Sequence, residues 1–179
     1  MGQISGGHFN PAVTLSQFTI RRLDAISAIS YMMVQIFGAF LGAIVFRGVV
    51  SNSLYEDYFV GSHLIKDNSE DRVTRFQAFL IDALLTAFIC SVYAQANLDD
   101  ECSRLTIPCT WAVITFISYP LMGQCANFAI ALANSVVFHL FTGDGSHTIF
   151  VYLNGFAAVL GVLFTFLLWW YAKKTRVAY

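Results

Sequence analysis

Ser5-Gly6-Gly7-His8-Phe9-Asn10-Pro11-Ala12-Val13-Thr14 stands almost at the start of the chain, and its reading decides the fold. Asn is among the best helix N-caps, because its side-chain oxygen accepts a free backbone N–H of the first turn. Pro is favoured at the next position, where its missing N–H costs nothing. A helix is therefore expected to start after Asn10. Its apolar run ends near Arg21-Arg22, too short for a bilayer, which takes about 20 apolar residues to cross. Short apolar helices at membrane depth read as re-entrant.

The rest of the chain agrees with a membrane setting. Of 179 residues, 57% are hydrophobic and only 12% charged, against about 25% charged in ordinary soluble domains. The net charge of −1 and the absence of a basic stripe argue against nucleic acid as a partner and leave the lipid bilayer as the expected one. Cys90, Cys102, Cys109 and Cys125 form neither a Cys-x-x-Cys pair nor a zinc spacing and are expected to be buried free thiols. His63, His139 and His147 are scattered without ligand spacing, so no metal or cofactor is implied. No Gly-x-Ser-x-Gly elbow and no base–orienter pair supports an enzyme.

Four stretches are long enough to span, at about Ala25–Phe46, Phe76–Ala96, Leu105–Met122 and Thr148–Tyr171. The last closes on Trp169-Trp170-Tyr171 and then Lys173-Lys174, the aromatic-then-cation order that a membrane interface selects. A second short apolar segment follows Asn127 and ends near Thr142-Gly143, and a long acidic connection occupies 49–74. With this topology Arg21, Arg22, Arg104, Lys173, Lys174 and Arg176 share one side, and Arg47, Lys66, Arg72 and Arg75 the other. The excess favours the first side as cytoplasmic.

The two short segments echo one another. Asn10-Pro11-Ala12 precedes one span and Asn127-Phe128-Ala129 another. Repeated halves with paired broken helices point to a central transport site. The expected architecture is a single all-α membrane domain over 1–179. Residues 1–48 belong to the first repeat, 49–74 to the connection and 75–179 to the second repeat. If both half-helices start at the bilayer midplane, their dipoles place partial positive charge there. The asparagine amides then have N–H groups to offer a passing water or hydroxyl oxygen.

Residues 5–14 resemble the first signature of the major intrinsic protein family, the aquaporins and aquaglyceroporins. Tyr31, Gln35 and Gly38-Ala39 resemble its third span, and Asp82-Ala83-Leu84-Leu85-Thr86 its fourth, where the family usually has Glu. Asn97-Leu98-Asp99-Asp100 and the long 49–74 connection resemble the glycerol branch. The resemblance implies an aquaporin-like bundle, here with four spanning helices and two re-entrant half-helices. It also implies a passive channel for water, glycerol or other small neutral solutes, and a homotetramer, in the plasma membrane rather than an internal one. Exclusion of protons by half-helix dipoles is already described for aquaporin-type pores, so that inference applies an existing case. Family members carry two spans before the first motif. Upstream sequence, or a partner chain supplying those helices, is therefore expected, since the polar backbone of the first half-helix would otherwise meet lipid.

The second motif departs from the family's Asn-Pro-Ala-Arg. Asn127 and Ala129 match, while Phe128 replaces Pro and Ile130 replaces the filter Arg. By spacing from Asn127, Thr115 and Gln124 would be further filter positions. Arg is permanently charged and offers several N–H donors, and Ile offers neither. Phe128 adds bulk where two prolines would pack. Altered selectivity, or no conduction in a relative with a structural or regulatory role, follows as the expectation.

Asp82 inside an apolar run needs a partner. The resemblance favours a structural role, accepting backbone N–H bonds from the second re-entrant loop, over a proton relay. His8 is read as a packed histidine bonded to a loop carbonyl, with the pore mouth as the alternative. Gly38, Gly42, Gly155 and Gly161 are expected at close helix contacts.

Overall fold

The computed structural model describes residues 6–58, 73–96, 101–123 and 126–176. It is all helical among these residues. In chain order they are α1 (Pro11–Thr19), α2 (Ala25–Val49), α3 (Asn52–Tyr58), α4 (Arg75–Gln95), α5 (Glu101–Met122), α6 (Phe128–Thr142), a 3-10 turn (Thr148–Phe150) and α7 (Val151–Arg176).

Four of these helices, α2, α4, α5 and α7, are long and apolar enough to cross a membrane, at the places the sequence marks. The two segments read as re-entrant are α1, with 9 residues, and α6, with 15. At 1.5 Å per residue they are about 13 Å and 22 Å long. Neither spans alone, but end to end their roughly 36 Å is enough to cross a hydrocarbon core of about 30 Å.

Local chemistry explains the boundaries. Asn10 and Asn127 cap α1 and α6 with extended backbone and nearly equal φ, −147° and −146°. Asp24 caps α2 by accepting from the Ser27 N–H at 2.9 Å. Thr74 and Gln77 form a reciprocal capping box at the start of α4. The end of α6 is closed by Gly143 at φ 76°, the left-handed conformation that glycine adopts without a Cβ penalty.

The packing is centred on α4 against α7. One core joins Ala12 and Val13 of α1, Ile89, Cys90 and Tyr93 of α4, Ile114 of α5 and Val162 of α7. A smaller seam places Ala43 of α2 against Ala133 and Val137 of α6. By contrast, only 6% of the apolar window of α2 is buried, against 44% for α4. So α2 is a peripheral helix that meets the bundle mainly through α1 and α6.

Several expectations are corrected here. Gly161 does sit at a tight crossing, because a Cβ there would stand 2.9 Å from Ala83 O, Ala87 N and Thr86 Cβ. Gly38 and Gly42 do not, having nothing within 4 Å of a built Cβ. Small-residue spacing permits a close approach but does not supply the neighbour. Cys90 is a buried thiol, whereas Cys109 is exposed on α5, because an apolar residue of a spanning helix can face outward. Cys102 and Cys125 lie outside the described side chains. The 49–74 connection contains α3, and its residues 59–72 lie outside the described ones. Tyr55 of that helix is buried and stacks on Phe138 of α6 at 5.6 Å.

Candidate functional site: two half-helices capped head to head

The starts of α1 and α6 meet through a reciprocal exchange between their caps. Asn10 Oδ1 accepts the Ala12 N–H at 2.9 Å, while Asn10 Nδ2 donates to Ala126 O at 2.9 Å. Asn127 Oδ1 accepts the Ala129 N–H at 3.1 Å, while Asn127 Nδ2 donates to Phe9 O at 2.9 Å. Each asparagine thus caps its own helix and grips the carbonyl just before the other asparagine. The arrangement is locally two-fold, and it uses one of the two N–H groups of each amide. Asn10 is fully buried and Asn127 is 4% exposed, so both amides are enclosed and only one N–H of each is left for a passing oxygen.

This junction sets two helix N-termini face to face, each carrying about half a positive charge. The approach to it is shaped by backbone in unusual conformations. Gly6 and Gly7 have φ of 73° and 59°, and Phe9 has φ 46°. Gly6 leaves room for His8, whose Nε2 would lie 2.7 Å from a Cβ at that position. Phe9 has no such excuse. Its strain, on the order of 1–2 kcal/mol, is held by the Asn127 bond to its carbonyl.

His8 is both packed and cavity-lining, and its partner is a hydroxyl rather than the expected carbonyl. Its Nδ1 lies 3.3 Å from Thr14 Oγ1, and Gln35 Nε2 donates to the same Oγ1 at 2.8 Å. The Thr14 hydroxyl thus joins Gln35 and His8, accepting from the Gln35 amide and pairing with the imidazole Nδ1. Edge contacts from Tyr31 and Tyr93, at 5.8 Å and 5.9 Å, hold the ring. Tyr93 in turn donates to Gly7 O at 2.8 Å.

The filter positions are not brought together. Ile130 lines a cleft of about 700 Å³ with His8, Phe9, Tyr31, Gln35 and Ala129, and no Lys or Arg lines it among the described residues. Thr115 lies on the exposed side of α5 in a separate groove of about 510 Å³, with Trp111, Phe116 and Tyr119. Counting back from a motif fixes a position along a helix but not the face it presents. Gln124 lies outside the described residues.

Phe128 does not intrude between the two caps. Its ring lies against Gly155 of α7, within 3.5 Å of where a Cβ would stand. The bulk expected at the motif is thus turned towards α7. Asp82 is buried, and its Oδ2 accepts from Asn154 Nδ2 of α7 at 2.7 Å. Among the described residues that side-chain amide is its partner and Oδ1 has none; residues 124–125 of the re-entrant loop, which the expected backbone bonds concern, lie outside them.

The model for the major intrinsic proteins matches residues 1–167. The chain belongs to the major intrinsic protein family. It is 30% identical over 139 residues to glycerol uptake facilitator protein-like 6 of Lactiplantibacillus plantarum, covering 75% of this chain and 62% of that protein. Nodulin-26 of Glycine max is 29% identical over 167 residues, 91% of this chain and 56% of its own. The lens fiber major intrinsic protein of Gallus gallus is 30% identical over 149 residues, 79% of this chain and 54% of its own. The chain spans about half to three-fifths of the length of these curated relatives. Family and spans together make it a multi-pass membrane protein of a channel family.

Sequence reasoning did not find Asn154, or the two carbonyls that the caps hold. Only the need of Asp82 for a polar partner pointed towards Asn154. The cap exchange left no signal, because a backbone carbonyl carries no residue identity.

Proposed function

We propose that this chain forms the half-helix centre of a passive membrane channel for water, glycerol or other small neutral solutes, with a selectivity shifted by Ile130. The observation that carries the reading is the reciprocal cap exchange of Asn10 and Asn127. It holds two helix N-termini together, a field that opposes cations and orients neutral oxygen ligands. Asn10, Pro11 and Ala12 with Asn127, Phe128 and Ala129 form the pore motif in this reading. Thr115, Gln124 and Ile130 stand at filter positions, and His8 and Asp82 are structural supports. The relatives include a glycerol uptake facilitator-like protein and aquaporins, which supports both solute classes. Residues 1–48 and 75–179 act as two repeats of one domain. Assembly as a homotetramer and residence in the plasma membrane belong to the same proposal.

The enclosure of both asparagines favours one second reading, a non-conducting relative with a structural role. Stopped-flow swelling of proteoliposomes separates the two. Conduction predicts glycerol or water flux above that of empty vesicles, and Ile130→Arg then changes the ratio of glycerol to water flux. High glycerol flux that Ile130→Arg leaves untouched refutes the selectivity assignment, and no flux in either protein supports the structural role.

A further inference from the structure

A second cleft, of about 790 Å³, lies away from the half-helix junction. Arg22, Ser91, Gln95, Thr165, Trp169 and Lys173 are among its lining residues. These side chains come from the connection after α1 and the C-terminal halves of α4 and α7. We propose that this cleft binds a phosphate-bearing anion at the membrane interface, with Arg22 and Lys173 as the charge partners.

Both cations are positioned rather than free. Arg22 Nη1 donates to Tyr93 O at 3.2 Å and to Ala96 O at 3.5 Å, at the end of α4. Those bonds use one nitrogen of the guanidinium and leave the Nε and Nη2 donors, a fork suited to phosphate oxygens. Lys173 Nζ sits 5.0 Å over the Trp169 ring. A tryptophan flanked by lysines marks headgroup depth. Deeper in the cleft Ser91 Oγ lies 3.4 Å from Thr165 Oγ1, and Thr165 is bonded to Ala87 O and Gly161 O. With the Thr165 proton given to a carbonyl, Ser91 is the donor to Thr165 Oγ1, which leaves the Gln95 amide as the neutral donor to a ligand.

The charge balance favours an anion. The C-terminal dipole ends of α1 and α4 oppose it, each worth about half a negative charge and confined to the last turn. Arg22 already occupies the carbonyl end of α4, and α7 runs on to Arg176, past the cleft. Two full positive charges therefore outweigh the dipole ends. Among the described residues no carboxylate lines the cleft. Asp24, two residues from Arg22, is engaged with the Ser27 N–H. Basic pockets between spanning helices suit anionic lipid headgroups, and a free phosphate offers the same oxygens.

The test reconstitutes the chain in phosphatidylcholine nanodiscs with and without phosphatidylglycerol. Retained lipid is read by native mass spectrometry, and a parallel thermal melt in phosphatidylcholine alone is titrated with inorganic phosphate. Preferential retention of phosphatidylglycerol identifies a lipid headgroup as the ligand, and a melting shift with phosphate identifies the free anion. At about 1 kcal/mol per basic residue near the surface, Arg22→Gln and Lys173→Gln each weaken binding about five-fold and the double variant about 25-fold. Lys174→Gln, whose Nζ lies over Trp170 instead, leaves binding unchanged. Lys173→Gln alone carries the test if Arg22→Gln unfolds, because Lys173 holds no helix end. Equal losses from Lys173→Gln and Lys174→Gln overturn the proposal, as does the absence of both lipid preference and phosphate shift.

Discussion

Replacing each of four glycines by alanine tests how this bundle is held together. Gly161 faces the α4–α7 seam, where a new Cβ would stand 2.9 Å from Ala83 O and from Ala87 N. Both are backbone atoms inside a helix and cannot rotate away. Carbon contacts are comfortable near 3.5 Å, so the seam would have to open by roughly 0.6 Å. Opening it also stretches the nearby bond from Thr165 Oγ1 to Ala87 O, already 3.1 Å long. Overpacking of this kind costs about 1–3 kcal/mol. A loss of one or two kcal/mol is already a factor of about 5–30 in the folded-to-unfolded ratio. Gly155→Ala would meet the Phe128 ring at 3.5 Å, an ordinary contact, and should stabilise α7 by up to about 1 kcal/mol through helix propensity. Gly38→Ala and Gly42→Ala meet nothing within 4 Å. They should stabilise α2 by a few tenths to about 1 kcal/mol through helix propensity. Unfolding by sodium dodecyl sulfate in mixed micelles, followed by tryptophan fluorescence, ranks the four variants. Gly161→Ala behaving like Gly155→Ala, or Gly38→Ala proving as damaging as Gly161→Ala, refutes the packing argument.

Three further outcomes follow from the same contacts. Asp82→Leu removes the acceptor of the Asn154 bond and should cost roughly 1–3 kcal/mol. Adding Asn154→Leu should recover part of that loss, and strict additivity in the double-mutant cycle would count against the pair. Asn127→Ala loses both a cap and the grip on Phe9 O, together about 2 kcal/mol. Combined with Asn10→Ala it should cost less than the sum, since either deletion loosens the same junction; a cycle with no coupling contradicts the reciprocal exchange. The Asp24 carboxyl is held below the ordinary aspartate range by its hydrogen bonds with Ser27. Its stabilisation is present above the unfolded pKa of about 3.9 and is lost as pH falls through the lower folded value. Acid titration of helicity should therefore show a component below that range which Asp24→Ala abolishes, and an unchanged titration in that variant excludes the cap as its source.

Much of the fold was legible in the sequence because it rests on local rules. Asn10-Pro11 and Asn127 announce their helices through capping chemistry that involves only the next few residues. The spans at α2, α4, α5 and α7 follow from apolar length alone. The site was only half legible. The asparagines could be named, but not the carbonyls of Ala126 and Phe9 that they hold. Thr115 and Ile130 could be numbered as filter positions, yet they line different clefts.

The opening stretch shows where the division lies. By itself the sequence determined that a capped half-helix begins at Asn10, that a counterpart begins at Asn127, and that both belong among apolar spans. Those are short-range and compositional facts. Only the tertiary structure decided that the two caps exchange hydrogen bonds, that Gln35 and His8 both meet the Thr14 hydroxyl, and that Gly161 rather than Gly38 or Gly42 sits at a tight crossing. Each of these depends on which distant segment arrives opposite a given face, and that is set by the packing of whole helices rather than by any residue's own preference.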